Sequence, residues 1–217
     1  MKRYLISLMI LFVAGCTAIP IDGVNVLKPE YRGVVSIQTI GGMGSGFVID
    51  RDENYYWIAT AAHVVADAYD QPYECVLVNG EFATVVGFGD PNSVNDIAII
   101  RLLRSNRQYK VYQIAETKQE ARVRATGFLY VSESYDPTFV CYYGRVVTMN
   151  WDGFIAFNGG IFPGISGGPL FDEWGRVVGV ASRCPCAWDT PMDSSGMFAP
   201  AMQLIDMLKE VRNGTHK

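Results

Sequence analysis

Several residue types that support common binding and catalytic chemistries are scarce in this sequence. Its 217 residues include only two histidines, and one of these, His216, lies in the polar tail at the C-terminus. The formal net charge is −4 and lysine and arginine form no long run, so we expect no nucleic-acid partner. The glycine-rich stretch 41–46 contains no lysine and leads into a strand, which argues against a phosphate-binding loop.

Cysteine is scarce as well, with five residues spread along the chain. Apart from Cys16, only Cys184 and Cys186 lie close together in the sequence, and no histidine stands beside them. Because a structural zinc ion needs four such ligands, we expect neither a metal site nor a cofactor. Export would permit disulfide bonds, and a bond from Cys141 to Cys184 or Cys186 is one open pairing.

The N-terminus has no apolar run long enough to span a bilayer comfortably. Lys2 and Arg3 precede a short apolar run, 5–13, and small residues then lead to Cys16. This order resembles a bacterial lipoprotein signal peptide, in which the cysteine is acylated and becomes the first residue. The alternatives are an ordinary signal peptide and an anchored helix with an incidental cysteine.

The lipoprotein interpretation divides the chain into a signal peptide, 1–15, a lipidated cysteine with a tether, 16–31, and one folded domain, 32–217. Thr17 after the cysteine, rather than Asp, resembles lipoproteins that are forwarded to an outer membrane. We therefore expect an exported protein that Cys16 holds on the outer membrane, facing the periplasm.

The remainder of the chain is rich in short β-type runs. Hydrophobic residues make up 49% and charged residues 18% of the sequence, which is typical of a globular protein. Glycine, asparagine, aspartate and proline separate the runs, so we expect an all-β fold. The clearest predicted strands are 33–40, 46–49, 55–59, 75–78, 82–88, 97–102, 123–128, 141–148, 154–157 and 177–182.

One glycine-rich stretch stands out for chemistry, the octamer 163–170, in which Ser166 lies among glycines and prolines. A serine nucleophile needs a base to take its proton and backbone N–H groups that bind the developing oxyanion. Glycines beside the serine allow such close backbone approach, although a tight surface turn has the same composition. His63, after an apolar run, is the candidate base, and Asp96, before an apolar run, is the candidate acid.

The segments around these residues, 60–63, 95–98 and 164–169, resemble the three catalytic blocks of trypsin-like serine proteases with the chymotrypsin fold, in the same His, Asp, Ser order. The glycine-serine-glycine start of a strand at 44–46 and the final strand-like segment 196–200 make the HtrA/Deg branch the better match. The resemblance implies two six-stranded antiparallel β-barrels with the site at their junction. Apolar residues at helical spacing after Pro200 predict a short C-terminal α-helix, which we expect on the second barrel.

The resemblance also implies a role for each site residue. Ser166 would be the nucleophile, His63 the general base and then acid, and Asp96 the group that fixes the imidazole. The N–H groups of Gly164 and Ser166 would form the oxyanion hole. Ser182 is either a substrate-binding strand residue near Asp96 or an ordinary strand serine.

The implied substrate pocket has its base near Gly160 and Ile161 and its walls near Ser182, Arg183 and Gly196. None of the base residues is acidic, so the desolvation of a bound lysine or arginine would not be offset. We therefore expect cleavage after small or medium apolar residues. Arg183 would either favour acidic substrate positions or face solvent.

The sequence departs from the clip-activated digestive proteases at Ile165, where those enzymes carry an aspartate that pairs with a new amino terminus. Activation by N-terminal clipping is therefore not expected, and the oligomeric state stays open. HtrA relatives often carry PDZ domains, and we expect none here. The predicted function is serine endopeptidase action on exported or misfolded polypeptides. The alternatives are a catalytically idle binding module or chaperone and a narrow-specificity processing protease.

Overall fold

The computed structural model describes residues 28–69, 76–130, 137–149, 152–183 and 196–215. The predicted signal peptide, Cys16 and most of the tether lie outside the described residues, as do Cys75, Cys184 and Cys186. Cys141 is a free thiol. Within the described ranges, no helix has the length and apolar character that a membrane crossing requires.

The first barrel begins after a 3-10 turn, Pro29–Tyr31, and closes through the strand order β1-β2-β3-β6-β5-β4, all pairs antiparallel. Residues with branched and aromatic side chains, which favour strands, fill its core, and Phe47, Tyr56 and Ile58 are almost fully buried. Its strands are β1 (Val34–Gln38), β2 (Met43–Arg51), β3 (Tyr55–Thr60), β4 (Val76–Val78), β5 (Glu81–Phe88) and β6 (Ala98–Leu103).

The second barrel has the same topology as the first. It closes through the strand order β7-β8-β9-β12-β11-β10, which corresponds strand for strand to that of the first barrel. Leu170, Phe157 and Phe198 lie in its interior. Its strands are β7 (Arg122–Tyr130), β8 (Pro137–Met149), β9 (Ile155–Phe157), β10 (Pro169–Asp172), β11 (Val177–Arg183) and β12 (Gly196–Pro200).

The prediction of an all-β fold with two six-stranded antiparallel barrels and a short C-terminal helix is confirmed. Strand β10 was not among the clearest predicted runs, because it is only four residues long and begins at Pro169. Proline lacks an N–H donor but is tolerated as the first residue of a strand, so the strand forms directly after the glycines of the serine loop.

The C-terminal helix α2 (Gln203–Arg212) packs on the first barrel, so its predicted position on the second barrel is wrong. A Cβ on Gly87 of β5 would lie 2.8 Å from Val211 and 3.2 Å from Met207, so the absent side chain gives the helix room. Arg212 then pairs with Asp50 at 2.9 Å. The helix therefore ties the end of the second barrel's chain back to the first barrel.

Candidate active site

His63 lies on a 3-10 turn, Ala62–Val64, that leaves the first barrel directly after β3, and the short helix α1 (Ala66–Tyr69) follows it. Ala62 and Val64 are buried on either side of it, while the His63 side chain is 37% exposed. The two apolar neighbours anchor the turn, and the imidazole is left at the barrel end, where the second barrel approaches.

Asp96 precedes β6 and is completely buried. Its Oδ2 lies 2.7 Å from His63 Nδ1, and its Oδ1 accepts the His63 backbone N–H at 2.9 Å. A third donor comes from the second barrel, since the Ser182 hydroxyl of β11 lies 2.6 Å from Oδ2. A buried carboxylate needs such partners to offset its lost hydration.

These bonds fix the chemistry of the imidazole. Because the carboxylate of Asp96 accepts from Nδ1, the ring proton sits on Nδ1 and Nε2 is left as the basic nitrogen. The Ser182 hydroxyl bonds to the same carboxylate oxygen, which places this strand serine near Asp96, as one of its two predicted alternatives required.

Ser166 lies on a tight loop between Phe162 and Gly168 in the second barrel. The loop opens with a turn that the Ile165 N–H closes on the Phe162 carbonyl at 3.1 Å. Gly164 has a φ of 99°, which fits the third position of a type II turn with Pro163 at the second. A side chain at Gly164 would be strained there, so the glycine is required by the turn.

The loop also sets the direction of its N–H groups. The Ile165 carbonyl accepts from the Gly168 N–H at 2.7 Å. Because a trans peptide holds its N–H opposite its carbonyl, the Ser166 N–H points away from that bond. In the described part of the chain, neither the Gly164 nor the Ser166 N–H donates to a backbone carbonyl. Within the described ranges, both N–H groups are therefore without an acceptor, as an oxyanion site requires.

Glycines bring the serine loop against the histidine turn. A Cβ on Gly44 of β2 would lie 2.6 Å from Val64 and 2.9 Å from the Ser166 carbonyl oxygen, and one on Gly167 would lie 2.9 Å from the Ala61 nitrogen. The structure thus brings His63, Asp96 and Ser182 into contact and places the Ser166 backbone beside them. Among the described residues, the Ser166 hydroxyl forms no hydrogen bond with His63. In ligand-free enzymes, the hydrogen bond between a catalytic serine and its base is often long and shortens only when substrate binds.

A comparison with protein families shows which family this chain belongs to. The family of the trypsin-like peptidase domain matches residues 44–180, a range that contains His63, Asp96 and Ser166. The chain belongs to this trypsin-like peptidase family. A search of curated proteins finds no match.

Solved structures show the same peptidase fold. Deg5 has a TM-score of 0.66 and 22% identity, over 87% of this chain and 94% of Deg5. The Rv3671c protease of M. tuberculosis, in an inactive form, has a TM-score of 0.61 and 25% identity, over 84% of this chain and 90% of its own. The serine endoprotease from Yersinia pestis has a TM-score of 0.63 and 21% identity, over 88% and 68%. The peptidase domain is thus structurally close to HtrA/Deg proteases.

Of the residues predicted to form the substrate pocket, Ile161 and Gly196 lie close together. A Cβ on Gly196 of β12 would lie 2.9 Å from Ile161, so these two residues face each other at close range. A Cβ on Gly160 would lie 3.5 Å from the ring of Phe162, which is 52% exposed. These residues are apolar, whereas the predicted wall residues Ser182 and Arg183 are polar and contact Asp96 and Pro91 instead.

Arg183 does not extend freely into solvent. Its guanidinium donates to the Pro91 carbonyl at 3.3 Å and lies 5.4 Å from the centre of the Phe154 ring. Both contacts hold the charge on the side of the segment that leads to Asp96.

In the part of the chain that the structure describes, no three His, Cys, Asp or Glu side chains are grouped as a metal ion would require.

Two residues next to the serine loop were not predicted as part of the site. A ring carbon of Tyr130 of β7 would lie 3.2 Å from a Cβ on Gly164, while the Tyr130 hydroxyl donates to the Ile37 carbonyl of the first barrel at 3.4 Å. Burial raises the pKa of this hydroxyl to about 12, so it stays neutral. Ser45 of β2 hydrogen-bonds to the same loop. The sequence signal for Ser45 was its place between two glycines, which identified a strand but not its partner in the second barrel.

Ile165 is completely buried in the core of the second barrel, so apolar packing holds the serine loop at this position. We predict that Ile165→Asp lowers the free energy of unfolding by about 3–5 kcal/mol, because it buries a carboxylate without a partner. Ile165→Val, the matched control, should cost about 0.5–1.5 kcal/mol. Urea unfolding of the purified domain measures both, and equal losses for the two variants would contradict this account of the loop.

Proposed function

We propose that this protein is a serine endopeptidase in which Ser166, His63 and Asp96 form the catalytic triad. The observation that carries the proposal is the bond between His63 Nδ1 and the buried Asp96 carboxylate, 2.7 Å long, beside the backbone of Ser166. It leaves Nε2 as the free base on the side of the imidazole away from Asp96. A triad is recognised by such geometry and roles.

In the first step, Ser166 Oγ attacks the carbonyl carbon of the scissile peptide while His63 Nε2 takes the hydroxyl proton. The carbonyl oxygen becomes an oxyanion and receives the N–H groups of Gly164 and Ser166. Asp96 stabilises the imidazolium. His63 then gives its proton to the leaving amine, the C–N bond breaks and an acyl-enzyme on Ser166 remains. Water, activated by His63, hydrolyses this ester and regenerates the serine.

The substrate class follows from the apolar surface that Ile161, Gly160 and Gly196 provide. This surface favours small or medium apolar side chains before the cleaved bond, since a cationic side chain would lose its hydration without gaining an anionic partner. The substrates are exported or misfolded polypeptides. Arg183 is occupied by Pro91 and Phe154, which disfavours a role for it in selecting acidic residues.

The proposed location is the outer membrane, facing the periplasm, with Cys16 acylated after removal of residues 1–15. Support comes from the order of charged, apolar and small residues before Cys16 and from Thr17 after it. The described residues begin at Lys28, so this part of the proposal depends on the sequence alone.

The second candidate is a catalytically idle module that binds polypeptides through the same surface. The missing hydrogen bond between Ser166 and His63 in the described structure favours this candidate. The His63–Asp96 pair and the two free N–H donors favour the enzyme, since simple binding requires neither. A third candidate is a processing protease with one substrate, which would share the triad and differ only in its range of cleavable peptides.

A fluorophosphonate probe separates the enzyme from the idle module. The purified protein should be labelled on Ser166, because the probe reacts only with a serine whose proton a nearby base removes. Ser166→Ala should abolish labelling, and Ser182→Ala, a matched hydroxyl removal, should only slow it. Mass spectrometry of the labelled peptide identifies the site. An unlabelled wild-type protein, with an active serine protease labelled in parallel, would contradict the proposal.

Chromogenic peptides that differ only in the residue before the cleaved bond test the specificity. We expect kcat/KM for valine or leucine to exceed that for lysine at least about tenfold, the effect of about 1.4 kcal/mol of uncompensated lysine desolvation. Glutamate in the same position serves as the control for Arg183. Faster cleavage after lysine than after leucine would show that the pocket assignment is wrong.

The anchor is tested by the intact mass of the protein extracted from membranes of the producing bacterium. The expected chain begins at Cys16 and carries the added mass of acyl groups. Cys16→Ser should leave the protein in the soluble exported fraction. A mature chain that begins at any other residue would refute the lipoprotein.

A further inference from the structure

The strand that carries Ser45 extends beyond its neighbour in the sheet. Phe47 is paired with Ala59, but the chain leaves the sheet after Thr60 to form the histidine turn, so Ser45 has no strand partner on that side. Ser45 is nevertheless completely buried. Buried backbone groups must find other partners, and those of Ser45 find them in the serine loop and in Thr60.

All the hydrogen-bonding groups of Ser45 are used. Its N–H donates to the Ser166 carbonyl at 2.7 Å, and its own carbonyl accepts from the Thr60 hydroxyl at 2.7 Å. Its hydroxyl donates to the Gly164 carbonyl at 2.7 Å and accepts the Phe128 N–H at 2.8 Å. Ser45 therefore forms two hydrogen bonds with the serine loop, one with β7 and one with the end of β3.

The second barrel leaves space for this residue. A Cβ on Gly127 would lie 2.7 Å from the Ser45 hydroxyl oxygen, and one on Gly168 would lie 3.3 Å from Ser45 Cβ. A Cβ on Gly167 would lie 2.2 Å from the Ser45 carbonyl oxygen. Glycines of β7 and of the serine loop thus surround Ser45, and a side chain on any of them would crowd it.

We propose that Ser45 is a positioning residue for catalysis, whose side chain fixes the peptide groups beside the nucleophile and the oxyanion donors. The inference rests on the proposed function. The bond from Ser45 Oγ holds the carbonyl of Gly164, and the bond from the Ser45 N–H holds that of Ser166. These carbonyls belong to the Gly164–Ile165 and Ser166–Gly167 peptide groups, which adjoin the peptide groups that carry the Gly164 and Ser166 N–H. Fixing the adjoining groups limits rotation of the two donors, so both keep the direction in which the oxyanion forms.

Removal of the hydroxyl would have two consequences. The buried Phe128 N–H and the Gly164 carbonyl would lose their partner, and the loop would shift to find others. A displacement of about 1 Å in such a loop is enough to lower a rate about 100-fold. Substrate affinity depends mainly on the pocket and changes less, so the effect falls on kcat rather than on KM.

The test compares the wild-type protein with Ser45→Ala, Ser45→Cys and Ser36→Ala. Ser36 pairs with Ser45 between β1 and β2, is also buried, and bonds through its hydroxyl to Asn79 of the first barrel, with a further side-chain contact to the Tyr130 hydroxyl. Ser36→Ala is therefore a matched loss of a buried serine hydroxyl. Ser45→Cys keeps an atom at the γ position but replaces the hydroxyl by a larger, weakly hydrogen-bonding thiol, and it supplies a second variant if Ser45→Ala does not fold.

Three readouts are measured for each variant: the fluorophosphonate labelling rate of Ser166, kcat and KM for an apolar peptide, and the amide hydrogen exchange of the loop 162–168. The Ser45 variants should label at least tenfold more slowly, lower kcat with KM nearly constant, and exchange loop amides at least tenfold faster. Ser36→Ala should change none of these readouts more than about twofold. Wild-type rates in the Ser45 variants, or equal effects of Ser36→Ala, would overturn the inference.

Failure of the proposed function gives a different result. If the wild-type protein is not labelled at all, the endopeptidase is wrong, while hydrogen exchange of the loop still decides whether Ser45 positions it. If the wild-type protein is labelled and the loop exchanges as before in Ser45→Cys, the endopeptidase stands and the role of Ser45 is refuted.

Discussion

The hydrogen bonds between Ser45 and the serine loop are the constraint on which the rest of this site depends. The two barrels carry different parts of the chemistry, His63 and Asp96 on the first and Ser166 on the second. The bonds from Ser45 to the carbonyls of Gly164 and Ser166 fix how far the loop lies from the histidine turn. They also hold the Ser166 backbone beside the end of β3, from which the histidine turn leaves.

A second polar contact crosses the same junction, from Ser182 to Asp96. Asp96 is fully buried, so each of its partners offsets part of the cost of removing a carboxylate from water. The result is an imidazole whose orientation depends on residues of both barrels. Relative movement of the barrels would disturb the proposed base and nucleophile together. Helix α2 opposes such movement, because it follows the last strand of the second barrel and packs on the first, where Arg212 pairs with Asp50.

Much of this arrangement could be predicted from sequence, because the segments around His63, Asp96 and Ser166 each combine a reactive residue with the small or apolar neighbours that position it. The contact between His63 and Asp96 is present, and Ser182 lies against Asp96. The role of Ser45 could not be predicted, since its partners Phe128 and Gly164 lie 83 and 119 residues away. The helix was misplaced because its apolar face indicates burial but not which barrel buries it.

The central claim is that Asp96 activates Ser166 through the orientation of His63. Asp96→Asn changes one oxygen to an amide group, which retains the size of the side chain but favours the wrong imidazole tautomer. Steady-state hydrolysis of an apolar peptide should show kcat reduced about 10⁴-fold with KM nearly unchanged. A variant with wild-type kcat would contradict the claim, because the 2.7 Å bond between His63 and Asp96 would then have no part in catalysis.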